Sequence, residues 1–459
     1  MTRNHLSRRR FLKETAAGTA AVVAAGALTG PANARVRPNT LAALGGSRVR
    51  TRPFAPWPPV TADIEESLLA AFRSRRWGRT LQGAMQGGGL VAEFERRFAE
   101  LLGAEYCLAT GSCTQALHTA LHAVGVGAGD EVLVPPCTFI ASVQAILLCN
   151  ALPVFVDVEL ETFQMDPAKM EPRINGRTRA VEPVHIAGLP CDMERVMAVA
   201  DRHDLDVVED AAQAPLAAIG GKACGTFGTL GCFSFQTSKV IACGEGGAIV
   251  GDDADLIERC YAFHNMGLSA RFVSATGEGT VGIGTKYRMN EIEAALLLPQ
   301  LATLDEQIRT RNENAAYLAA RLEEIPGIAP QRLVSGATQG AYYLYGFRYL
   351  KEHFNDASRA VFLRALRGEG IPFTTMYFDR LNEQAFLENT LSSPTFRKVF
   401  SAERLRQYWE ENHCPVNDRL AEEGVWLPQT IFLGGRQEMD DVADAIAKIH
   451  EHKDQLARL

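Results

Sequence analysis

The chain lacks the features that mark several large classes of protein. It has no internal repeat and no heptad pattern, so neither a solenoid nor a long coiled coil is expected. No apolar stretch reaches the ~20 residues that a membrane-spanning helix requires, so no stable membrane insertion is expected. The net charge of −7 argues against a dedicated nucleic-acid binder. What remains is a globular chain of 459 residues, long enough for more than one structural unit.

The first 34 residues differ in composition from the rest. The segment SRRRFLK at 7–13 precedes an Ala-rich run over 16–28, and Ala-Asn-Ala at 32–34 offers the small residues that a signal peptidase requires. The paired arginines resemble a twin-arginine export motif. We therefore expect residues 1–34 to be an export signal and the mature protein to be periplasmic or extracellular. The alternative is an Ala-rich surface helix, which would leave the protein in the cytoplasm.

The ten cysteines are scattered through a large chain, mostly in apolar or glycine-rich segments. Disulfide frameworks belong to small secreted domains, so buried free thiols are expected for most of these cysteines. Residues 35–60 are rich in Pro, Arg and Gly and predict a lead-in arm.

From residue 61 the chain alternates between short apolar runs and helical patterns. The runs that predict strands are 105–110, 131–135, 153–158, 180–184, 206–209, 232–236 and 247–251. With helical patterns between them, they predict an α/β fold whose large domain, 61–300, has a mainly parallel sheet flanked by helices. A smaller α+β domain over 301–459 is predicted from the patterns that follow. These are a helical stretch over 291–323, strand-like 342–349 and 371–377, and helices at 359–367 and 438–450.

Two polar residues stand where predicted strands end, the edge at which α/β sheets bind ligands. Asp210 follows the apolar run 205–208. Its carboxylate could keep the pyridine nitrogen of a bound cofactor protonated, although an Asp at a strand end is often a helix N-cap. Lys239 ends FSFQTSK, near the hydroxyls of Ser234 and Ser238 and before the turn CGEGG. A partly desolvated lysine suits imine chemistry, whereas an ordinary one is simply solvated. Pyridoxal 5'-phosphate (PLP) needs both a lysine for an imine and a carboxylate for its pyridine nitrogen, so the two residues are candidates for a PLP site.

Two further segments could supply the remaining contacts of that cofactor. TGSCTQAL at 110–117 predicts a strand, a turn and a helix whose first amides could bind phosphate, although many such turns bind nothing. Phe139 follows the next predicted strand and could stack on the cofactor ring, or it could be an ordinary core residue.

A longer set of motifs carries a family resemblance. EDAAQA, FSFQTSK and GEGG occur with GDEVLVPPCTF, LPVFVDV, PVHIAGLPCDM, YRMNEIEAAL and WLPQTIFLGG. This set resembles the DegT-type sugar aminotransferase family over roughly residues 57–450. The resemblance implies the fold-type-I aminotransferase architecture and a homodimer with shared active sites. It also implies amino-group transfer from glutamate or glutamine to a keto-sugar or keto-cyclitol, with a mild preference for the cyclitol.

The resemblance also implies roles for particular residues. Lys239 would be the cofactor-bearing lysine and Asp210 the partner of the pyridine nitrogen. Gln213 would lie beside the cofactor's phenolic oxygen, Ser234 would donate to the phosphate, and Phe139 would stack on the ring. No metal site is expected.

The remaining implied roles concern the phosphate and the substrate. The backbone at Thr114 and Gln115 would bind phosphate, and His185 is a candidate on the substrate side. Lys286 stands where the family usually has Asn, in a loop that reaches the neighbouring subunit's phosphate. Cys113 stands where the family usually has Gly, at the phosphate turn.

Two other functions stay open. A few relatives are PLP-dependent sugar dehydratases, but they replace the cofactor lysine by histidine, and here Lys239 is present. An exported PLP- or sugar-binding relative without turnover would suit the leader, although intact Lys239, Asp210 and Ser234 argue against it. A transcription regulator would need an N-terminal helix-turn-helix, for which residues 35–60 leave no room.

Overall fold

The computed structural model describes residues 39–79, 89–269 and 281–459. The predicted export signal and the first residues of the arm lie outside the described residues. Within those ranges, no helix is long and apolar enough to cross a membrane.

Helices and strands are numbered in chain order. The helices are α1 (Ala62–Ser74), α2 (Leu90–Leu102), α3 (Cys113–Ala123), α4 (Ile140–Leu148), α5 (Met193–Arg202), α6 (Ala254–His264), α7 (Glu291–Leu301), α8 (Leu304–Glu323), α9 (Arg359–Gly368), α10 (Ala385–Leu391), α11 (Pro394–Val399), α12 (Ala402–Glu411), α13 (Pro415–Glu423) and α14 (Arg436–Glu451). The strands are β1 (Tyr106–Thr110), β2 (Glu131–Val134), β3 (Leu152–Phe155), β4 (Thr178–Val181), β5 (Asp206–Asp210), β6 (Ala218–Ile219), β7 (Lys222–Ala223), β8 (Leu230–Ser234), β9 (Gly247–Gly251), β10 (Ile328–Pro330), β11 (Ala337–Gln339), β12 (Leu344–Tyr349) and β13 (Gly424–Pro428).

A seven-stranded sheet in the order β1-β9-β8-β5-β4-β2-β3 forms the centre of the fold. Strands β8, β5, β4, β2 and β3 run parallel, and β9 runs antiparallel to both of its neighbours. Both faces are covered, because Val132 and Val134 pack into one core cluster with α3 and α4, while Leu133 packs into another with α5. The predicted α/β fold with a mainly parallel, helix-flanked sheet is confirmed.

A three-stranded antiparallel sheet, β10-β12-β13, packs against α8, α9 and α14 around a core of its own. The segment that contains α10 to α12 packs against the large sheet instead. Leu387, Phe396 and Tyr408 of α10 to α12 belong to the same core cluster as Leu121 of α3 and the strands of the large sheet. The division of the chain at residue 300 stays a prediction.

The helical stretch predicted over 291–323 is present as two helices: α7 ends at Leu301, two residues after Pro299, and α8 starts at Leu304. One local prediction is wrong. The stretch 371–377 forms no named strand and contributes one isolated bridge, between Thr374 and Trp426. Pro372 cannot donate to a ladder, and Tyr377 has a φ of 70°, so neither end can continue a strand.

All ten cysteines lie in the described ranges and are free thiols, nine of them buried. The expectation of buried thiols is confirmed. Burial raises the pKa of Cys137 to about 12, which keeps that thiol protonated and unreactive.

Candidate active site

Asp210 is the last residue of β5 and is only 5% exposed. Its Oδ2 accepts a hydrogen bond from Ser142 Oγ at 2.7 Å, and its Oδ1 accepts one from the Ala212 amide at 3.1 Å. Burial raises the pKa of this carboxyl, against the hydrogen bonds and the charge of Lys239, which favour the ionised form. The site therefore holds a carboxylate whose charge is incompletely balanced.

Lys239 follows β8, the strand that pairs in parallel with β5, so Asp210 and Lys239 lie at the same edge of the sheet, where the two strands end. The lysine is 8% exposed and makes no ion pair with any of the described residues. Its Nζ lies 4.2 Å from the centre of the Tyr343 ring. A buried amine with no carboxylate partner is free to react covalently.

A pair of tyrosines completes this part of the site. The Tyr343 hydroxyl lies 2.9 Å from Ser238 Oγ and 3.3 Å from the Tyr377 hydroxyl. Burial works against ionisation of Tyr343, but the charge of Lys239 and the hydrogen bonds from Ser238 and Tyr377 together outweigh it, so the pKa of Tyr343 falls below its usual value. Burial raises the pKa of Tyr377, which keeps that hydroxyl protonated. The Tyr343 hydroxyl is therefore more acidic than the Tyr377 hydroxyl, although the two are within hydrogen-bond distance.

The predicted phosphate turn lies at the start of α3. Ser112 caps the helix and its Oγ accepts from the Gln115 amide at 3.3 Å, so the amide predicted to bind phosphate already has a partner. A Cβ on Gly247 would lie 2.5 Å from the Ser112 carbonyl carbon, so only glycine lets β9 approach the turn. The Cys113 side chain packs into the core, leaving its backbone amide and that of Thr114 in the first turn of the helix.

The other predicted cofactor contacts lie on neighbouring elements. Phe139 precedes α4 and is 49% exposed, with its ring perpendicular to that of Tyr377 at 5.9 Å. Gln213 is buried, and its Oε1 accepts from the Ala187 amide at 2.7 Å, which fixes the side chain. Ser234 is the half-buried last residue of β8. Their roles toward a cofactor stay predictions.

The structure argues against the substrate contact predicted for His185. The residue is fully buried, its Nε2 lies 2.8 Å from Glu209 Oε2, and its Nδ1 accepts from the Cys191 amide at 3.0 Å. Both ring nitrogens are therefore occupied. Glu209 also accepts from the Gly225, Phe227 and Gly228 amides, so these contacts position a loop beside β5.

Lys286 lies on the surface, in the segment that follows residue 281. The adjacent Tyr287 carbonyl accepts from the Gly111 amide of the same chain at 2.7 Å. The segment is thus attached to its own phosphate turn, while the lysine side chain is exposed.

Four contacts of this site were not predicted from the sequence. Ser142 could have been noticed as a hydroxyl in the first turn after Phe139, but Tyr343, Tyr377 and Trp57 carry no local signal. Trp57 lies in the lead-in arm, and its Nε1 donates to the Lys239 carbonyl at 3.0 Å.

The fold and the site together define a class. A fold-type-I aminotransferase requires a buried lysine and a buried aspartate where neighbouring parallel strands end, with a helix N-terminus near them. Residues 74–447 match the DegT/DnrJ/EryC1/StrS aminotransferase family, and the chain belongs to this family. The prediction that the protein is an aminotransferase is confirmed.

Similar proteins span nearly the whole chain. L-glutamine:2-deoxy-scyllo-inosose aminotransferase of Streptomyces fradiae is 36% identical over 91% of this chain and 99% of that relative. L-glutamine:scyllo-inosose aminotransferase of Streptomyces griseus is 34% identical over 92% of this chain and 100% of that relative. Among solved structures, 3-amino-5-hydroxybenzoic acid synthase has a TM-score of 0.75 at 31% identity, covering 89% of this chain and 99% of its own.

Proposed function

We propose that the protein uses PLP to transfer an amino group from L-glutamine to a keto-cyclitol of the scyllo-inosose type. The observation that carries the proposal is the buried Lys239, which has no ion pair among the described residues and lies beside Asp210 at the sheet edge. Relatives that cover 91% and 92% of the chain have names that specify glutamine and such ketones. These names favour a cyclitol over a nucleotide-linked sugar.

The residues present fit the cofactor. Asp210 is a buried carboxyl whose charge is incompletely balanced, and a protonated pyridine nitrogen would balance it. Phe139 offers an exposed ring, and the first turn of α3 offers backbone amides for a phosphate. Ser234 and Gln213 would supply the remaining polar contacts.

PLP, when bound, supplies an aldehyde that condenses with amines and a ring that accepts electrons. Lys239 would carry it between turnovers. In the transfer reaction, Lys239 Nζ would also serve as the base that takes the proton from the α-carbon of the donor. Tyr343 and Tyr377, both buried, exclude water on this side of the lysine.

The test combines labelling with a substrate screen. Borohydride treatment of the purified PLP-loaded protein should fix the cofactor to the peptide that contains Lys239, and Lys239→Ala should abolish labelling. Lys222→Ala, at an exposed lysine, is the matched control. L-glutamine with scyllo-inosose or 2-deoxy-scyllo-inosose should then give the amino-cyclitol. Labelling elsewhere, or transfer only to a nucleotide-linked keto-sugar, would contradict the proposal.

We also propose a homodimer in which Lys286 of one subunit reaches the phosphate of the other, and export of the folded chain. The exposed position of Lys286 supports the first. So do the stacked rings of Phe72 and Trp77, 57% and 48% exposed, because such apolar surface commonly marks an interface.

A further inference from the structure

Arg311 has no solvent exposure and makes one hydrogen bond with the described residues. It lies on α8, and its Nη2 donates to Gln429 Oε1 at 2.6 Å. Among the described residues, its Nε and Nη1 have no hydrogen-bond partner and no carboxylate pairs with it. Burial lowers the pKa of this guanidinium to about 9.

Such a residue is costly to the fold. A buried cation without a carboxylate loses its hydration and gains little in return, and an apolar side chain of similar volume is usually better for stability. Stability therefore does not explain why an arginine stands here, and its one hydrogen bond becomes the informative contact.

That contact orients an amide. Gln429 uses its oxygen for Arg311, and its Nε2 donates to the Ser238 carbonyl at 2.5 Å. Arg311 is only a donor, so it accepts no other orientation of the amide. The arginine therefore ensures that the Nε2 donor of Gln429 faces the carbonyl of Ser238, the residue before Lys239.

A second contact holds the next carbonyl. Trp57 Nε1 donates to the Lys239 carbonyl at 3.0 Å, and its ring centre lies 5.8 Å from the Arg311 guanidinium. The Ser238 hydroxyl also meets Tyr343. Segments far apart in the chain thus converge on two consecutive residues, the second of which is the reactive lysine.

We propose that Arg311 is a positioning residue for amino-group transfer. Through Gln429 it holds the Ser238 carbonyl and so fixes the backbone from which Lys239 extends. The inference rests on the proposed role of Lys239. A displacement of about 1 Å at a reacting group can cost on the order of 10²-fold in rate, so a backbone clamp of this kind has a measurable effect.

The decisive variant is Gln429→Glu in the PLP-loaded protein. The substitution gives Arg311 a carboxylate partner and removes the N–H group that donates a hydrogen bond to the Ser238 carbonyl. We expect an unchanged or raised unfolding temperature, faster amide hydrogen exchange in the peptide spanning 236–243, and kcat lowered by about tenfold or more with KM for glutamine little changed. A stable Gln429→Glu protein with wild-type exchange and kcat would overturn the proposal.

A double-mutant cycle tests the route through Gln429. Arg311→Met should slow turnover in the wild-type background and have little further effect in Gln429→Leu. Equal effects in both backgrounds would mean that Arg311 acts by another route and would also overturn the proposal. Arg309→Met, an exposed arginine on the same helix, is the matched control. Hydrogen exchange is read without substrate, so a failure of the clamp is distinguishable from a wrong choice of keto substrate.

Discussion

Lys239 Nζ lies 4.2 Å from the centre of the Tyr343 ring. An ammonium group over an aromatic face is stabilised, and the effect grows as water is excluded. The Tyr343 hydroxyl is bound at the ring edge by Ser238 and Tyr377, so the ring is held in place. The face of Tyr343 is thus a defined position for the lysine whenever it is not bonded to cofactor.

This arrangement predicts that the ring of Tyr343 matters more than its hydroxyl. Tyr343→Phe should keep the rate of the glutamine half-reaction within about threefold, whereas Tyr343→Leu should lose about tenfold or more, a barrier increase of about 1.4 kcal/mol. Single-turnover absorbance changes measure both rates. Equal losses in the two variants would assign the role to the hydroxyl pair instead.

Asp210→Asn should retain cofactor yet lose turnover by on the order of 10³-fold or more, because an amide cannot keep the pyridine nitrogen protonated. Ser142→Ala, which removes one hydrogen bond to Asp210, should have a smaller effect. Its hydroxyl favours the ionised carboxyl, so removing it should raise the pKa of Asp210 further and move the acidic loss of activity to higher pH. The measurements are bound PLP and pH–rate profiles. Near-normal turnover of Asp210→Asn would show that the residue is a structural cap.

The sequence predicted those parts of the site that depend on local pattern. Asp210 and Lys239 follow apolar runs, and a strand end fixes the edge of the sheet at which a residue lies. It does not fix the direction of a side chain: the position of His185 after a strand predicts a substrate contact, but its ring is buried against Glu209. Tyr343 reaches the site from 104 positions further along the chain than Lys239, through packing that no short motif encodes.

Glu182 gives the third prediction. It is fully buried beyond β4, and neither carboxyl oxygen has a hydrogen-bond partner among the described residues. Burial, with the charge of Asp210, raises its pKa well above the usual value. The folded state therefore keeps a proton that the unfolded state releases. This contribution to stability is present below the ordinary glutamate pKa and is lost as pH rises toward the raised one.

Glu182→Gln should remove that pH dependence. The free energy of unfolding should match wild type at about pH 4 and exceed it by about 1 kcal/mol or more at about pH 8, since each unit of pKa shift is worth about 1.4 kcal/mol. Urea titrations at both pH values measure the difference. Glu194→Gln, on the exposed face of α5, is the control. Parallel profiles for wild type and Glu182→Gln would contradict the prediction.

The fourth prediction tests whether Lys286 serves the active site of its own subunit or that of the neighbouring subunit. If Lys286 serves the neighbouring site, mixing Lys239→Ala and Lys286→Ala protomers creates one intact site in each mixed dimer. Random mixing should then restore about a quarter of wild-type activity. The alternative is that Lys286 serves its own chain, as the contact between Tyr287 and Gly111 of the same chain would allow. In that case mixing would restore no activity. Unmixed variants, refolded in parallel, are the controls.

The last prediction concerns export. Replacing Arg8 and Arg9 together with Lys should hold full-length, PLP-loaded protein in the cytoplasm, because the twin-arginine signal is read by a receptor that requires both arginines. The wild-type chain should be found outside the cytoplasm, cut after Ala34, with its cofactor. Export of the folded form has a physical reason, since nine of the ten thiols are buried only once the chain has folded. Arg3→Lys, outside the motif, is the control. Fractionation, mass spectrometry of the N-terminus and absorbance of the purified fractions measure the outcome. Mature protein beginning at Arg35 in the double variant would contradict the twin-arginine route, and uncut wild-type chain confined to the cytoplasm would contradict export itself.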